Sequence, residues 1–514
     1  MIVGEQTQTD NTKRIAKNTI LLYVRMLLMM GISFFTTREV LRILGVVDFG
    51  IYNVVAGIVV LFVFLNNAMV TSTQRYLNFE IGKSSSTLQI NKIFSSCLTI
   101  HIGIAIVVWF VAEVIGVWFV NNYLDIPDGR MEAANIVYQC SILGAVINIF
   151  RTPFNAVIVS YEKMNVYAYM GIIETLMKLG VVYLLFAFRF DALVLYSLLM
   201  LLVVFLTTVL YVVYCRKQFE ICHSYTLYRD KRLYGHLLSF SGWSLLGSMA
   251  NLGATQGMGI LLNIFFGVTV NAAMGVAQQA ATAMYNFVTN FQTAFNPQLV
   301  KLYASGQSTA FENLVLRTSK YSFYLLWVIS LPILLCCHTC LSLWLGSVPD
   351  HAEQFCVLLL VFSLIDALQG PLWTSVQATG NIKFYQIMIG ILVLSNLPVS
   401  YIFLKNGYSA ESVFVIRVLI NVLAAIARVS YLRIKLGFLV SRYVREVCIP
   451  CCIVVIISFF ITTFVHELLQ GYIQLLVTTC VSLFVNIVSV YFGGMMKQER
   501  SFINGLLISK LTRS

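Results

Sequence analysis

The residues best placed to do chemistry are charges set inside apolar stretches. Arg25 stands in LLYVRMLLMM, and Arg75 closes a polar run of Asn66, Asn67, Thr71 and Gln74. A charge at membrane depth is costly unless it faces water or a partner, so two arginines in one helical hairpin predict a polar interior. At roughly 1.5 Å per helical residue, Arg25 lies about 12 Å beyond Lys17, and Arg75 about the same distance before Lys83. If both ends of the hairpin lie on one side, the two guanidinium groups are expected at matching depth, where an entering anion would meet them. Guanidinium stays charged and presents parallel donors, which suits it to phosphate oxygens in a semi-dry cavity.

Further charges follow. Arg151 has no acid on its own helix and is read as an anion contact. Glu174 and Lys178 are one turn apart, in the order that favours an intrahelical pair. Either the pair only lowers the cost of insertion, or Lys178 faces a cavity and Glu174 tunes or releases it. Asp366 is the one acid near the centre of the second half, able to pair with a cavity arginine or to bind a proton or cation that drives exchange. Both it and Glu174 are candidate ion-coupling groups. Arg417 and Arg428 lie nearer helix ends and are expected to snorkel.

Uncharged polar residues recur at helical spacing beside these charges. One stripe holds Gln279, Thr282, Asn286, Thr289, Thr293 and Asn296, another Ser241, Ser244, Ser248, Asn251 and Thr255. A third run has Asn148, Arg151, Thr152 and Asn155, and a fourth has Ser363, Asp366, Gln369 and Gln377. Such stripes serve either as glue between packed spans or as the lining of a hydrated cavity. Their amides and hydroxyls suit sugar hydroxyls, which need donors and acceptors without charge. The candidate binding set is therefore Arg25, Arg75, Arg151, Lys178, Asn67, Gln74, Asn148, Asn155, Asn251, Gln279 and Asn286.

The elements that must position this set are transmembrane helices. The 514 residues are 59% hydrophobic and 11% charged, and apolar segments of membrane-spanning length recur to the end of the chain. Fourteen are counted, from 18–37 and 49–79 through to 447–465 and 471–493. With the N-terminus inside, the inside segments hold 23 of the 34 Lys and Arg and the outside loops five, so both termini are expected in the cytoplasm. The net charge of +12 then reflects topology and calls for no nucleic acid. Twelve cysteines sit almost wholly in apolar helices and read as small buried hydrophobes. Neither CCHTC nor CIPCC has a second ligand pair, so no metal or cofactor is expected.

Internal duplication organises the spans. Sliding residues 153–183 by 218 positions pairs Pro153 with Pro371, Tyr167 with Tyr385, Met170 with Met388 and Tyr183 with Tyr401, among eight identities without a gap. The fold class is thus an all-α polytopic membrane protein, with two parallel six-helix repeats around a central cavity plus two extra C-terminal helices. The expected boundaries are 1–213 for the first bundle, 214–236 for a cytoplasmic linker, 237–432 for the second bundle and 433–514 for the last helices and tail. Helices thirteen and fourteen look poor in polar groups and are expected to form a peripheral, lipid-facing pair.

The hairpin RMLLMMGISFFTTREVLRILGVVDFGIYNVVAGIVVLFVFLNNAMVTSTQRYL, with its LG, DFGIYN and TQRYL segments, resembles the start of bacterial O-antigen or capsule repeat-unit flippases. These are grouped with lipid II flippases and MATE drug exporters in the MOP superfamily. The resemblance implies two bundles around a cationic cavity and alternating access in the inner membrane. It further implies export of undecaprenyl-pyrophosphate-linked oligosaccharide for surface polysaccharide, with membrane lipids and other polysaccharide-assembly proteins as candidate partners. Arg25 matches that family's habit of placing a cation in helix one. MATE exporters commonly use membrane-embedded acids for coupling; helices one and seven here have none, while Asp366 keeps a cation-coupled multidrug antiporter as the alternative. A membrane enzyme of polysaccharide assembly would want a large outer loop with paired carboxylates, and the longest, near 121–130 with Asp125 and Asp128, is small.

Overall fold

The computed structural model describes residues 2–60, 63–123, 126–127, 129–187, 190–346, 348–468, 471–496 and 499–501. Asp125, Asp128 and Arg189 therefore lie outside the described residues. The described chain is all-helical and runs as fourteen rods. The stretch Ile2–Val60 breaks at Gly45, whose φ of 75° suits glycine, into α1 (2–44) and the start of α2 (46–60, then Val63–Gly82). Next come α3 (Thr87–Val111, carried by a π-turn into Val117–Tyr123), α4 (Met131–Ser160), α5 (Met164–Ala187) and α6 (Ala192–Gln218). A short connector leads to α7 (Lys231–Phe266), α8 (Val268–Ala304), α9 (Ser308–Leu335, then Cys337–Leu345) and α10 (Ala352–Thr379). The last four are α11 (Lys383–Leu394 and Asn396–Lys405), α12 (Glu411–Leu436), α13 (Val440–Tyr443 through a π-turn into Ile449–Glu467) and α14 (Gly471–Ser489).

Capping explains several ends. Ser86 accepts the Gln89 N–H at the start of α3, Asp191 accepts those of Leu193 and Val194 at the start of α6, and Gly437 closes α12 in the left-handed conformation. Among the described residues, eleven helices are long and apolar enough to cross a membrane. α7 and α8, which carry polar stripes, are not among them. Large apolar side chains such as Phe110 and Trp118 on α3, Leu202 on α6 and Phe460 and Phe464 on α13 stand exposed, a surface that lipid covers and water would not tolerate. This is a multi-pass membrane protein.

The chain forms two compact units. Unit 1 contains residues 1–249, 294–307 and 380–383, and unit 2 the remainder. Helix neighbours repeat between them: α3 with α4, α4 with α6 and α5 with α6 in unit 1, against α9 with α10, α10 with α12 and α11 with α12 in unit 2. Helix packing thus follows the same order that the sequence offset of the repeat implies.

The connectors alternate between ends, as successive spans require. At one end of unit 1, Arg130 before α4 bonds Asp48 at the head of α2 and Asp191 before α6, clasping three connectors. Burial raises the Asp191 carboxyl, but the Val194 N–H and the Arg130 guanidinium outweigh it and hold the group below the usual range. At the other end, Lys92 reaches Asp230 at 2.8 Å and holds that carboxyl low, while Glu162 accepts from Lys301 at 2.6 Å and Gln298 at 3.0 Å. That second end carries the basic connectors.

The final pair of helices departs from the expectation. Thr478, Ser482, Asn486 and Ser489 share one face of α14, and Ser458 and Thr462 one face of α13; all are buried. Both helices pack on α9, where the Trp327 indole donates to Ser458 at 2.8 Å and Lys320 bonds Glu499 at 2.7 Å. A buried polar seam, made by spacings of three and four residues, fixes the pair to α9, so only its outer faces meet lipid.

Candidate functional site

Unit 1 draws four charged side chains of the candidate set together. Arg151 on α4 donates through Nη1 to Glu174 at 3.1 Å and to the Thr207 hydroxyl of α6 at 3.0 Å. Lys178 donates to the other oxygen of Glu174 at 2.8 Å. Glu174 is therefore shared between two cations on two helices, and Arg151 has an acid after all, one helix away. The three side chains are 19%, 20% and 38% exposed for Arg151, Glu174 and Lys178, so the cluster is reachable rather than sealed.

Arg25 joins from α1. Its guanidinium lies over the Tyr167 ring of α5 at 4.2 Å, a cation–π placement. Gly171, one turn further along α5, makes the room: a Cβ there would come within 2.3 Å of Arg25 Nε. That Nε is buried and makes no hydrogen bond. Tyr211 on α6 ties the two parts together, standing 5.3 Å beneath the Arg151 guanidinium and within electrostatic reach of Arg25 and Glu174. Two cations thus share one carboxylate, and a third, stacked on Tyr167, adds an unsatisfied donor. Such a cluster can take up a multiply charged anion.

Arg75 belongs elsewhere in unit 1. It is 7% exposed, held between Tyr76 and Phe79 at 4.6 Å each and Phe240 at 5.7 Å, and presses on Gly380. It shares none of these neighbours with Arg25 or Arg151. Seven residues on, Gly82 of the same helix packs on the backbone of Lys301. Gln74 and Asn148 are half-buried, and Asn155 is half-buried with its Oδ1 lacking a partner. The side chain of Asn67, like that of Asn66, lies outside the described residues.

In unit 2 the stripe on α8 lies open: Gln279, Thr282, Asn286 and Thr289 are all exposed, as is Asn251 on α7. The α7 stripe divides, because Ser241 and Ser244 are buried against neighbouring helices. Asp366 accepts the Tyr285 hydroxyl at 2.6 Å. Arg417 does not snorkel; it turns inward, with Nη2 3.4 Å from the Thr255 hydroxyl and the guanidinium 4.4 Å over Phe362.

Tyr167, Gly171, Thr207, Tyr211 and Tyr285 complete these clusters and were not singled out from the sequence. Tyr167 alone carried a signal, as one of the residues the two repeats share with Tyr385.

No family model matches the chain, and no curated protein does. Solved structures do. A MATE family transporter of the MOP superfamily in an outward-facing conformation superposes with a TM-score of 0.68 at 15% identity, covering 82% of this chain and 96% of its own. A MATE transporter in a bent conformation gives 0.70 at 15% identity, covering 84% and 97%. A MOP superfamily transporter from Pyrococcus furiosus, described as having a binding pocket of reversed polarity that suggests a different function, gives 0.68 at 14% identity over 82% and 96%. What the chain shares with these structures is the fold, that of a polytopic helical membrane protein. Its architecture is that of the MATE transporters.

Proposed function

We propose that this chain is a flippase that moves a polyprenyl-pyrophosphate-linked oligosaccharide across the bacterial inner membrane by alternating access, for surface polysaccharide. The supporting observation is the excess of positive charge in one cluster of unit 1, where Arg25, Arg151 and Lys178 gather about Glu174, with a buried Arg25 donor left unsatisfied. A diphosphate supplies the missing acceptors, and in unit 2 the exposed side-chain amides of Gln279, Asn286 and Asn251 are groups of the kind that pair with sugar hydroxyls. The polyprenyl tail stays in lipid. Arg75, caged by aromatic rings, stands apart from this cluster. With the basic connectors in the cytoplasm, both termini lie there too, and polysaccharide-assembly proteins are the natural partners.

One observation favours a second reading. Asp366, hydrogen-bonded to Tyr285 inside unit 2, is the kind of embedded acid that a cation-coupled exporter of the MATE type would protonate or load with an ion. The two readings separate in cells that lack their own flippase. Surface glycan restored by the wild-type chain and lost with Arg25→Gln or Arg151→Gln, at equal protein in the membrane, supports the flippase. Restoration by both variants refutes the role given to the cluster.

A further inference from the structure

The clasp at one end of unit 1 has a counterpart in unit 2. The connector ahead of α4 reads Ile126-Pro127-Asp128-Gly129-Arg130, and the one ahead of α10 reads Val348-Pro349-Asp350-His351-Ala352. In each, the proline carbonyl accepts the backbone N–H three residues on, that of Arg130 or of Ala352. In each, the residue after the Pro-Asp pair takes a left-handed backbone, Gly129 with φ 80° and His351 with φ 68°. Glycine enters that region freely, whereas a histidine there is strained and needs contacts that hold it.

His351 has those contacts. Its Nδ1 bonds the carboxylate of Glu411, the first residue of α12, at 2.5 Å. Its ring stacks on Phe355 at 5.8 Å, and Phe355 packs on Phe414 of α12 at 4.3 Å. In unit 1, Arg130 makes the same kind of link, from the head of α4 to Asp191 at the head of α6. Because α4 and α10 occupy equivalent places in the two repeats, as do α6 and α12, the clasp is duplicated with its cation changed.

Changing the cation changes the chemistry. Guanidinium keeps its charge at any physiological pH, whereas imidazole gains or loses its proton between about pH 5 and 8. Protonated, His351 makes a charge-assisted bond to a carboxylate; neutral, it makes an ordinary one or none. No other cation takes its place: among the described residues, neither Glu411 nor Glu353 pairs with a lysine or arginine. Ser409 and His351 are the side chains that bond Glu411, while Glu353 of α10 faces His338 of α9 at 3.4 Å. Asp350 precedes His351 in the chain, and Lys405, in the last turn of α11, bonds neither glutamate. The His351 side chain is 39% exposed and that of Glu411 24%, so protons reach the pair from solvent.

We infer that unit 2 carries a proton-dependent latch, in which His351 and Glu411 fasten the head of α10 to the head of α12 in mild acid and release it as pH rises. The Arg130 clasp of unit 1 stays closed over the same range. Because the carboxylate forms its strong bond only with the protonated ring, the contribution is full near about pH 5 and lost by about pH 8. The latch belongs to the fold and stands whichever cargo the chain carries. Under the flippase reading, this end faces outside and external pH sets it.

The purified full chain in nanodiscs tests this by backbone hydrogen exchange, read by mass spectrometry over peptides spanning 352–358 and 411–417. Comparing each variant with the wild type at one pH cancels the intrinsic pH dependence of exchange. At about pH 5.5, Glu411→Gln and His351→Gln are each expected to speed exchange at both helix heads by about two- to fivefold, the range for a partly exposed ion pair. At about pH 8.5 the difference disappears. His351→Arg keeps both heads protected at either pH, an outcome that a folding defect does not produce. Arg130→Gln speeds exchange at the heads of α4 and α6 by the same factor at both pH values. A Glu411→Gln effect that is absent in acid, or equal in size at the two pH values, overturns the inference. So does His351→Arg protection that fades at the higher pH.

Discussion

Glu174→Gln offers a prediction in which stability and binding move in opposite directions. The carboxylate accepts from Arg151 at 3.1 Å and from Lys178 at 2.8 Å. Removing it leaves two cations facing each other across a neutral amide. Breaking a buried pair costs about 3–5 kcal/mol and an exposed pair about 0–1. With Glu174 itself 20% exposed, a loss of about 1–3 kcal/mol is expected, read as a lower unfolding temperature in detergent. Anion binding should strengthen, because Glu174 competes with the ligand for the same two donors. One charge removed at about 6 Å and an effective dielectric of about 20 is worth about 3 kcal/mol, and screening through the open side halves it at least. Pyrophosphate should therefore bind roughly tenfold more tightly. The assay is equilibrium binding of pyrophosphate to the nanodisc protein, paired with thermal unfolding of the same sample. Glycan turnover should fall as release slows. An affinity that stays level or drops in a folded variant would refute the assignment of Glu174 as the ligand's competitor, and a gain in affinity for a cationic dye would contradict it outright.

Other outcomes follow from the same geometry. Gly171→Leu adds no charge but pushes Arg25 off Tyr167, so pyrophosphate affinity should fall by roughly the tenfold that one charge-assisted contact is worth; unchanged binding would show that Arg25 is not held there for the ligand. Arg130→Gln opens the clasp on Asp48 and Asp191 and should destabilise the chain by about 1 kcal/mol at neutral pH. Because the Asp191 pKa is depressed in the fold, this contribution is present above the usual carboxylate value of about 3.9 and fades as pH falls through the depressed one. The variant and the wild type should therefore converge in acid, and a constant gap down to low pH would count against the clasp. Asp366→Asn should change the dependence of transport on pH or sodium if that carboxyl couples an ion, and transport that is indifferent to both before and after substitution removes it from that role.

The number of rods was legible in the sequence because most are apolar runs of membrane-spanning length and the Lys and Arg residues gather in alternate connectors. The boundaries extend further than hydropathy indicates: α7 begins at Lys231 and α6 continues to Gln218, since amphipathic ends stay helical beyond the apolar core. What could not be read was pairing between helices. Glu174 looked like a partner for Lys178 alone, because spacing along one helix is visible and the approach of Arg151 from α4 is not. Arg75 looked equivalent to Arg25 by depth, yet its neighbours Phe240 and Gly380 come from far along the chain. The polar face of α14 was present in the spacing of Thr478, Ser482, Asn486 and Ser489, but small hydroxyls among many apolar residues barely lower mean hydropathy. The snorkelling expected of Arg417 failed for a related reason: Thr255 and Phe362, which draw it inward, lie on other helices.

The central claim is that the embedded cations of unit 1 receive a diphosphate head group during its passage across the bilayer. Proteoliposomes of the purified chain, loaded on one leaflet with a polyprenyl-pyrophosphate oligosaccharide, test it directly by the rate at which the glycan becomes accessible to a lectin on the other side. Translocation by the wild type, lost in the double variant Arg25→Gln with Arg151→Gln at equal reconstitution, is the result expected. Efflux of a cationic dye by the same vesicles, with no movement of the lipid-linked glycan, would contradict it.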